Sequence, residues 1–338
     1  MMKNKMPFKK NHLCAAKPRR TFRHRSRRVE FEQLVQLCLL VAAIILLYPA
    51  ESYCGYSHGG AFKVPGYGGR AWGMGGAAAS LGGDESAAYW NPAFLSCLEN
   101  DYAGLSYVNL IAGVKAGQSY IAYARVLKDS PAGETDRKIA RHAAGVIYGN
   151  LSLGLAGGGD YSENSVRLAY AYTPDYFLSL GAAASMLISR SDVPGFDSRG
   201  SNIDVGLRLQ ISESTSLGLV LRNAVSRLLY GDGRDYALSR SYTLALSFSP
   251  AGKLLLACDC IFSQSGLSRA VLGGEYPLLA NRVFLRSAGA YLPAGGGRFI
   301  PYLGMGFRFN RFLFQYNANF DSEDAFEDTH RFSVGLEL

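Results

Sequence analysis

Gly55-Tyr56-Ser57-His58-Gly59 has the spacing of a nucleophile elbow, in which a serine rides a sharp strand-to-helix turn. Here the pentapeptide follows an apolar leader and precedes a Gly-rich stretch, so that turn has no scaffold. Gly73, Gly75 and Ala78 loosely match a dinucleotide fingerprint, but no strand leads into them and no βαβ pattern follows. Close packing accounts better for these glycines. Outside the leader only His58, His142 and His330 remain, too dispersed for a histidine metal site. Cys258 and Cys260 share one face of an alternating stretch with Leu254, Leu256 and Phe262. Small apolar packing suits them better than a soft metal. No catalytic residue, metal ligand or cofactor is assigned.

The remaining chemistry lies in charges set within apolar alternation: Arg167, Asp204, Arg208, Arg222, Asp259, Arg269, Glu275 and Arg286. From Asn202 to Ser212, Ile203, Val205, Leu207, Leu209 and Ile211 fall on one face and Asp204, Arg208 and Gln210 on the other. A helix would smear those charges around its circumference, whereas a strand separates them. The same alternation runs through Val166–Thr173, Ser241–Phe248, Phe312–Phe320 and His330–Leu338. In a soluble sandwich the apolar face would point into a core; in a membrane barrel it points to lipid and the polar face lines the lumen. Three features favour the barrel. The runs last ~9–12 residues, enough to cross a bilayer at a tilt. Charges recur at mid-strand. Aromatics gather near strand ends (Tyr102, Tyr161, Tyr176, Tyr236, Phe262, Tyr276, Tyr291 and Phe320), as interfacial girdles require. The eight charges are expected to face the lumen, as a salt-bridged interior or as guides for a solute.

About fifteen candidate strands follow, near 102–112, 117–127, 139–149, 151–161, 164–173, 176–190, 201–211, 215–225, 238–249, 254–263, 268–277, 281–291, 299–309, 312–320 and 328–338. Bacterial single-chain barrels use even numbers, so about 14 are expected. Tight turns at Thr173–Asp175, Ser212–Ser214, Pro250–Gly252 and Asn310 alternate with longer polar segments at Asp129–Lys138, Ser191–Gly200, Arg227–Arg234 and Asp321–Asp328. The expected asymmetry is short periplasmic turns opposite longer outer loops.

The net charge of +8 belongs to the leader. Eleven of the 35 Lys/Arg lie in residues 1–50, against Glu30 and Glu32, leaving 24 basic and 25 acidic residues in the rest. Nothing global favours nucleic acid as a partner. The basic n-region precedes an apolar run from Leu34 to Leu47, long for a signal segment and short for a spanning helix. Cleavage after Ser52 would put Ala50 at −3; an uncleaved anchor is the alternative. Arg19-Arg20-Thr21-Phe22 reads as part of an ordinary basic n-region rather than a twin-arginine signal. A Cys54–Cys97 disulfide is open in an oxidising compartment, but spacing alone does not establish it. The organisation expected is a leader over 1–52, a Gly/Ala-rich segment over 53–100 and an all-β, transmembrane antiparallel barrel over 101–338.

Gly69-Arg70-Ala71, Gly73-Met74-Gly75-Gly76-Ala77, Ala87-Ala88-Tyr89-Trp90 and Asn91-Pro92-Ala93 resemble the N-terminal signature of the PorV/PorQ family of outer-membrane proteins, relatives of the FadL fatty-acid transporters. Arg331-Phe332-Ser333-Val334-Gly335-Leu336 resembles that family's last strand. The resemblance implies a FadL-like barrel of 14 strands with an N-terminal hatch in its lumen. It places Asn91, Pro92 and Ala93 in the hatch near a ligand path; alternatively they only turn the chain toward the first strand. The function expected is passive uptake of hydrophobic or amphipathic small molecules across the bacterial outer membrane. The alternatives are a PorV-like component of a type IX-like secretion or surface-assembly system, or a structural barrel. The partners expected are the lipid bilayer, a hydrophobic ligand, the barrel assembly machinery through the C-terminal strand, and secretion-system proteins. That machinery typically reads a terminal aromatic, whereas this chain ends in Leu338.

Overall fold

The computed structural model describes residues 62, 66–110, 116–129, 141–155, 158–250, 254–320 and 329–338. The leader, Cys54, the Gly55–Gly59 pentapeptide and most of the segments 129–138 and 321–328 lie outside these residues.

The alternation becomes strands β1 (Tyr102–Asn109), β2 (Ala116–Asp129), β3 (Arg141–Gly154), β4 (Asp160–Asp175), β5 (Leu178–Ser191), β6 (Ser198–Ser212) and β7 (Thr215–Tyr230). A two-residue β8 (Asp235–Tyr236) precedes β9 (Ser241–Phe248), β10 (Leu255–Ser263), β11 (Gly266–Leu278) and β12 (Val283–Leu292). The last three are β13 (Arg298–Phe309), β14 (Phe312–Asn319) and β15 (His330–Glu337). Every pairing is antiparallel, β1 joins β15, and β6 joins β7, so the fourteen staves other than β8 close into a ring. The candidates 139–149 and 151–161 prove to be the single stave β3. Asn150, a turn signal in isolation, stays in the ladder because its Nδ2 donates to Asn164 Oδ1 across the β3–β4 pair (3.0 Å).

Parity sets the two faces. In β5 exposed and buried residues alternate along almost the whole strand. Leu168, Met186 and Phe332 point outward and are at least 60 % exposed, in company with Leu105, Ile121, Val205, Leu272 and Phe307. Leaving so many such side chains in water would forfeit ~1.5–3 kcal/mol each. Against hydrocarbon they cost nothing, so this outer surface is a lipid-facing one. Tyr102 departs from the girdle expected of it: it shares parity with Gly104 and Ser106, is 7 % exposed, and turns inward over Gly335. Cys258 and Cys260 are free thiols alternating with buried Ala257 and Asp259.

Strand direction gives each connection an end. Residues 176–177, 213–214, 279–282 and 310–311 link staves at the end that also holds Leu338, whose N–H donates to Asp101 O (2.9 Å). Leu279, Ala280, Asn281 and Asn310 have positive φ, the backbone of such tight turns. β2 ends at Asp129 and β3 begins at Arg141 at this same end, although sequence alternation assigns their connection to the longer loops. Two consecutive staves always leave their connection on the same side, whatever its length.

Inside the ring lie α1 (Gly69–Gly73), α2 (Ala87–Trp90) and a 3-10 turn (Pro92–Cys97). Tyr67, Phe94, Leu95 and Leu98 pack on inward Ala122, Ala143, Ile147, Ala169 and Ala183. Trp72, Met74, Leu81 and Trp90 pack on Leu255, Val271, Ile300 and Tyr302 across the ring. Alanine recurs on the β2–β5 wall because the inner segment supplies the bulk there.

Candidate functional site

The inner segment is built from short turns, each fixed by a side chain. Asp84 Oδ1 accepts from Ser86 N (3.0 Å) and opens α2. Asn91, extended at φ −156°, ends α2, and its Oδ1 caps the 3-10 turn by accepting from Ala93 N (3.1 Å). Pro92 follows at the first position of that turn, where its missing N–H leaves nothing unsatisfied. Asn91 Nδ2 donates to Ala79 O (2.9 Å) within the segment and to Leu207 O (3.1 Å) on β6. Two wall glycines make room for this element. A Cβ at Gly181 would fall 2.2 Å from Ala93 N, and one at Gly206 would fall 2.1 Å from Asn91 Oδ1.

The eight expected charges form four groups, all bound inward. Asp204 Oδ2 takes Arg167 Nη2 at 2.6 Å and Arg222 Nη1 at 3.8 Å, and its Oδ1 accepts from Asn223 N (2.7 Å). Arg167 Nε then reaches Ala88 O (2.8 Å), and the Arg222 guanidinium covers the Tyr89 ring at 4.4 Å. Glu275 bridges Arg286 Nε (2.7 Å) on β12 and Arg70 Nη2 (2.9 Å) on the inner segment. Asp259 Oδ2 receives Ala78 N and Ala79 N at 3.0 and 2.9 Å, while Arg269 Nη2 donates to Gly75 O (2.9 Å). Arg208 lies over Phe94, its guanidinium carbon 5.7 Å from the ring centre. Each wall charge except Arg208 and Arg286 thus grips a backbone group of the inner segment or a side chain that does, and Arg286 braces Glu275 on Arg70.

Sequence reasoning missed Arg70, Glu85, Arg141 and Arg331. Among the described residues Arg331 is the largest fully buried side chain: Nη1 donates to Gly66 O (3.1 Å), Nη2 to Gln118 Oε1 (2.7 Å), and its guanidinium stands 4.3 Å from the Trp72 ring. Its parity opposite Phe332 and Val334 was the available signal. Glu85 sits on Gly104 and accepts from Tyr120 OH (3.0 Å), while its Oε2 is buried without a partner. Burial, and then Asp84 beside it, push the Glu85 carboxyl up to about 8, against the opposing hydrogen bonds. Cys97 is disulfide-bonded.

At the short-turn end a cavity of about 200 Å³ separates Leu81–Asp84 from Phe284, Arg308 and Leu313. Asn91, Pro92 and Ala93 do not line it. On the side, one backbone ladder is interrupted. β7 follows β9 only from Thr215 to Arg222; beyond that, Leu228 and Leu229 pair with Tyr236 and Asp235 of β8. Between β6 and β7 the ladder passes from Val205↔Leu221 to Ile203↔Val225, so three β7 residues oppose Asp204 alone. Asn223, at φ 53°, forms this bulge. Arg222 carries it to the inner segment by donating to Trp90 O (3.4 Å).

Three solved structures share this architecture. The toluene transporter TodX of P. putida aligns with TM-score 0.56 and 15 % identity, over 81 % of this chain and 99 % of its own. The monoaromatic hydrocarbon channel CymD aligns with TM-score 0.58 and 15 % identity, over 82 % and 97 %. The fold is that of the FadL-like hydrocarbon channels. The toluene transporter TbuX of Ralstonia pickettii agrees, with TM-score 0.55 and 13 % identity, over 82 % of this chain and 100 % of its own. No protein-family model and no curated protein matches the chain. At such identities the FadL-like likeness is one of fold.

Proposed function

We propose that this chain is a bacterial outer-membrane channel that passes hydrophobic or amphipathic small molecules without an energy source. The observation that carries the reading is the interrupted β7–β9 ladder at Asn223, beside an inner segment packed within the lumen. A solute entering near Tyr89 and Trp90 would leave sideways into the bilayer, or downward if the segment moves. The three FadL-like structures, by their names, are toluene or monoaromatic hydrocarbon channels, which supports a solute of that size and polarity. In this reading residues 1–52 are an export signal, 53–100 a hatch and 101–338 the barrel, with Asn91, Pro92 and Ala93 fixing the hatch near the path. The lumen charges Arg167, Asp204, Arg222, Asp259, Arg269, Glu275 and Arg286 hold the hatch rather than guide a solute. The barrel assembly machinery would read β15 with its terminal Leu338.

The PorV/PorQ-like motifs support a second reading, a component of protein secretion or surface assembly. Uptake of a labelled monoaromatic hydrocarbon by cells that lack their own channel separates the two. A rate several-fold above cells without the chain supports the channel. No increase, with secreted or surface proteins co-purifying instead, supports the secretion reading.

A further inference from the structure

Most enclosed guanidinium groups have a carboxylate. Arg167 and Arg222 share Asp204, Arg70 and Arg286 share Glu275, and Arg308 pairs with Glu337. Arg331 and Arg269, which have no carboxylate among the described residues, also keep a buried unpartnered Nε, but Arg331 has the Trp72 ring and two good acceptors, and Arg269 donates to Gly75 O and Tyr302 Oη at 2.9 Å each. Arg208 and Arg141 are less well served. Arg208 is 3 % exposed, donates to Ser179 Oγ at a long 3.4 Å and to Gln210 Oε1, and keeps its Nε buried without a partner. Arg141 donates to Leu98 O, and its Nε is likewise buried and unpartnered. Among the described residues neither forms an ion pair.

The ladder converges these two side chains. Arg141 on β3 stands opposite Thr173 on β4, whose Oγ1 lies 2.8 Å from Ser179 Oγ on β5, and Ser179 stands opposite Arg208 on β6. All four belong to the short-turn end of the lumen. Phe94 and Ser96 of the inner segment close the site from the centre, with Ser96 Oγ 3.0 Å from Ser179 Oγ. Arg208 is withdrawn from water and Arg141 is half-buried beside it; like charges there repel, and among the described residues neither finds a carboxylate to offset its lost hydration. A planar guanidinium with a free Nε offers the fork that a carboxylate or phosphate accepts.

We propose that Arg208 and Arg141 form an anion site, filled by a compact oxyanion: inorganic phosphate or the carboxylate of an organic solute. The site does not depend on transport, and Phe94 borders both it and the cavity near Glu275. The test is a titration of the full barrel in detergent with sodium phosphate or sodium acetate, each against sodium chloride at matched ionic strength, following the thermal midpoint. A saturable rise of about 3 °C over chloride is expected with at least one of the two anions. Phosphate acting alone assigns a free inorganic anion, and acetate acting assigns a carboxylate. Arg208→Gln should abolish the rise and Arg141→Gln should weaken it, while Arg234→Gln on an exposed loop keeps it. If Arg208→Gln fails to fold, Arg141→Gln alone decides. A response no larger than that to chloride, or an undiminished rise in Arg141→Gln, would overturn the site.

Discussion

Two seams of the barrel differ in a way that sequence order does not suggest. β1 and β15 come from opposite ends of the barrel sequence, yet they pair without a break from Tyr102↔Glu337 to Asn109↔His330. β7 and β9 are neighbours in the chain, yet β7 gives up β9 after Arg222, halfway along its length. The closed seam is lined inward by small Gly104 and Ser106 and bridged to the inner segment by Arg331. The open seam carries Arg222 and Asn223, whose inward bonds go to Asp204 and Trp90 and whose Nδ2 goes to Ser239 O. Backbone groups in hydrocarbon must be satisfied, so a parted ladder survives only where side chains replace it. At the open seam Ser226 Oγ does this, accepting from Leu238 N (2.9 Å) and donating to Leu238 O (3.3 Å).

The largest expected effect comes from Asp204→Ala, which strands Arg167 and Arg222 beside the open seam. Breaking a buried pair from one side costs about 3–5 kcal/mol, and denaturant unfolding should register a loss of that order. Gly206→Val should come next, because its side chain would enter the space of Asn91. Overpacking of this kind costs about 1–3 kcal/mol, and proteolysis of residues 84–98 should reveal the displaced segment. Glu85 gives a pH test near the closed seam. Its carboxyl titrates near 8 when docked and near 4.5 when free, so the docked segment holds the extra proton between these values. Docking is therefore strongest below about pH 4.5 and is lost as the pH rises through about 8. Hydrogen exchange of α2, corrected for its intrinsic pH dependence, should follow that course in the native chain and lose it in Glu85→Gln. The smallest effect is expected of Ser226→Ala, which removes two hydrogen bonds worth about 0.5–1.5 kcal/mol each and should modestly raise solute uptake.

The fold was legible because lipid and lumen impose opposite chemistry on alternate residues, as Ile203–Ile211 and Val166–Tyr172 show. What parity alone does not settle was misread. Asn150 resembles a turn until Asn164 answers it from β4. Tyr102 resembles a girdle aromatic until the register with β15 turns it inward. The eight charges share the parity of the inward strand residues, but parity does not give their partners, since Arg167 meets Asp204 across two strand pairings and Ala88 from a separate segment. Arg70 and Glu85 lie in a stretch without periodicity, where burial comes from the surrounding wall. The bulge at Asn223 left no sequence signal, because asparagine at positive φ is chosen by the mismatch between β6 and β7.

The open seam is the centre of this account, and sealing it is the direct test. Ser226→Cys with Leu238→Cys would place two thiols where hydrogen bonds now join β7 to the strand leading into β9. Uptake of a monoaromatic hydrocarbon should fall several-fold when this pair is oxidised and return when it is reduced. Unchanged uptake through a verified cross-link would contradict a route through the side of the barrel.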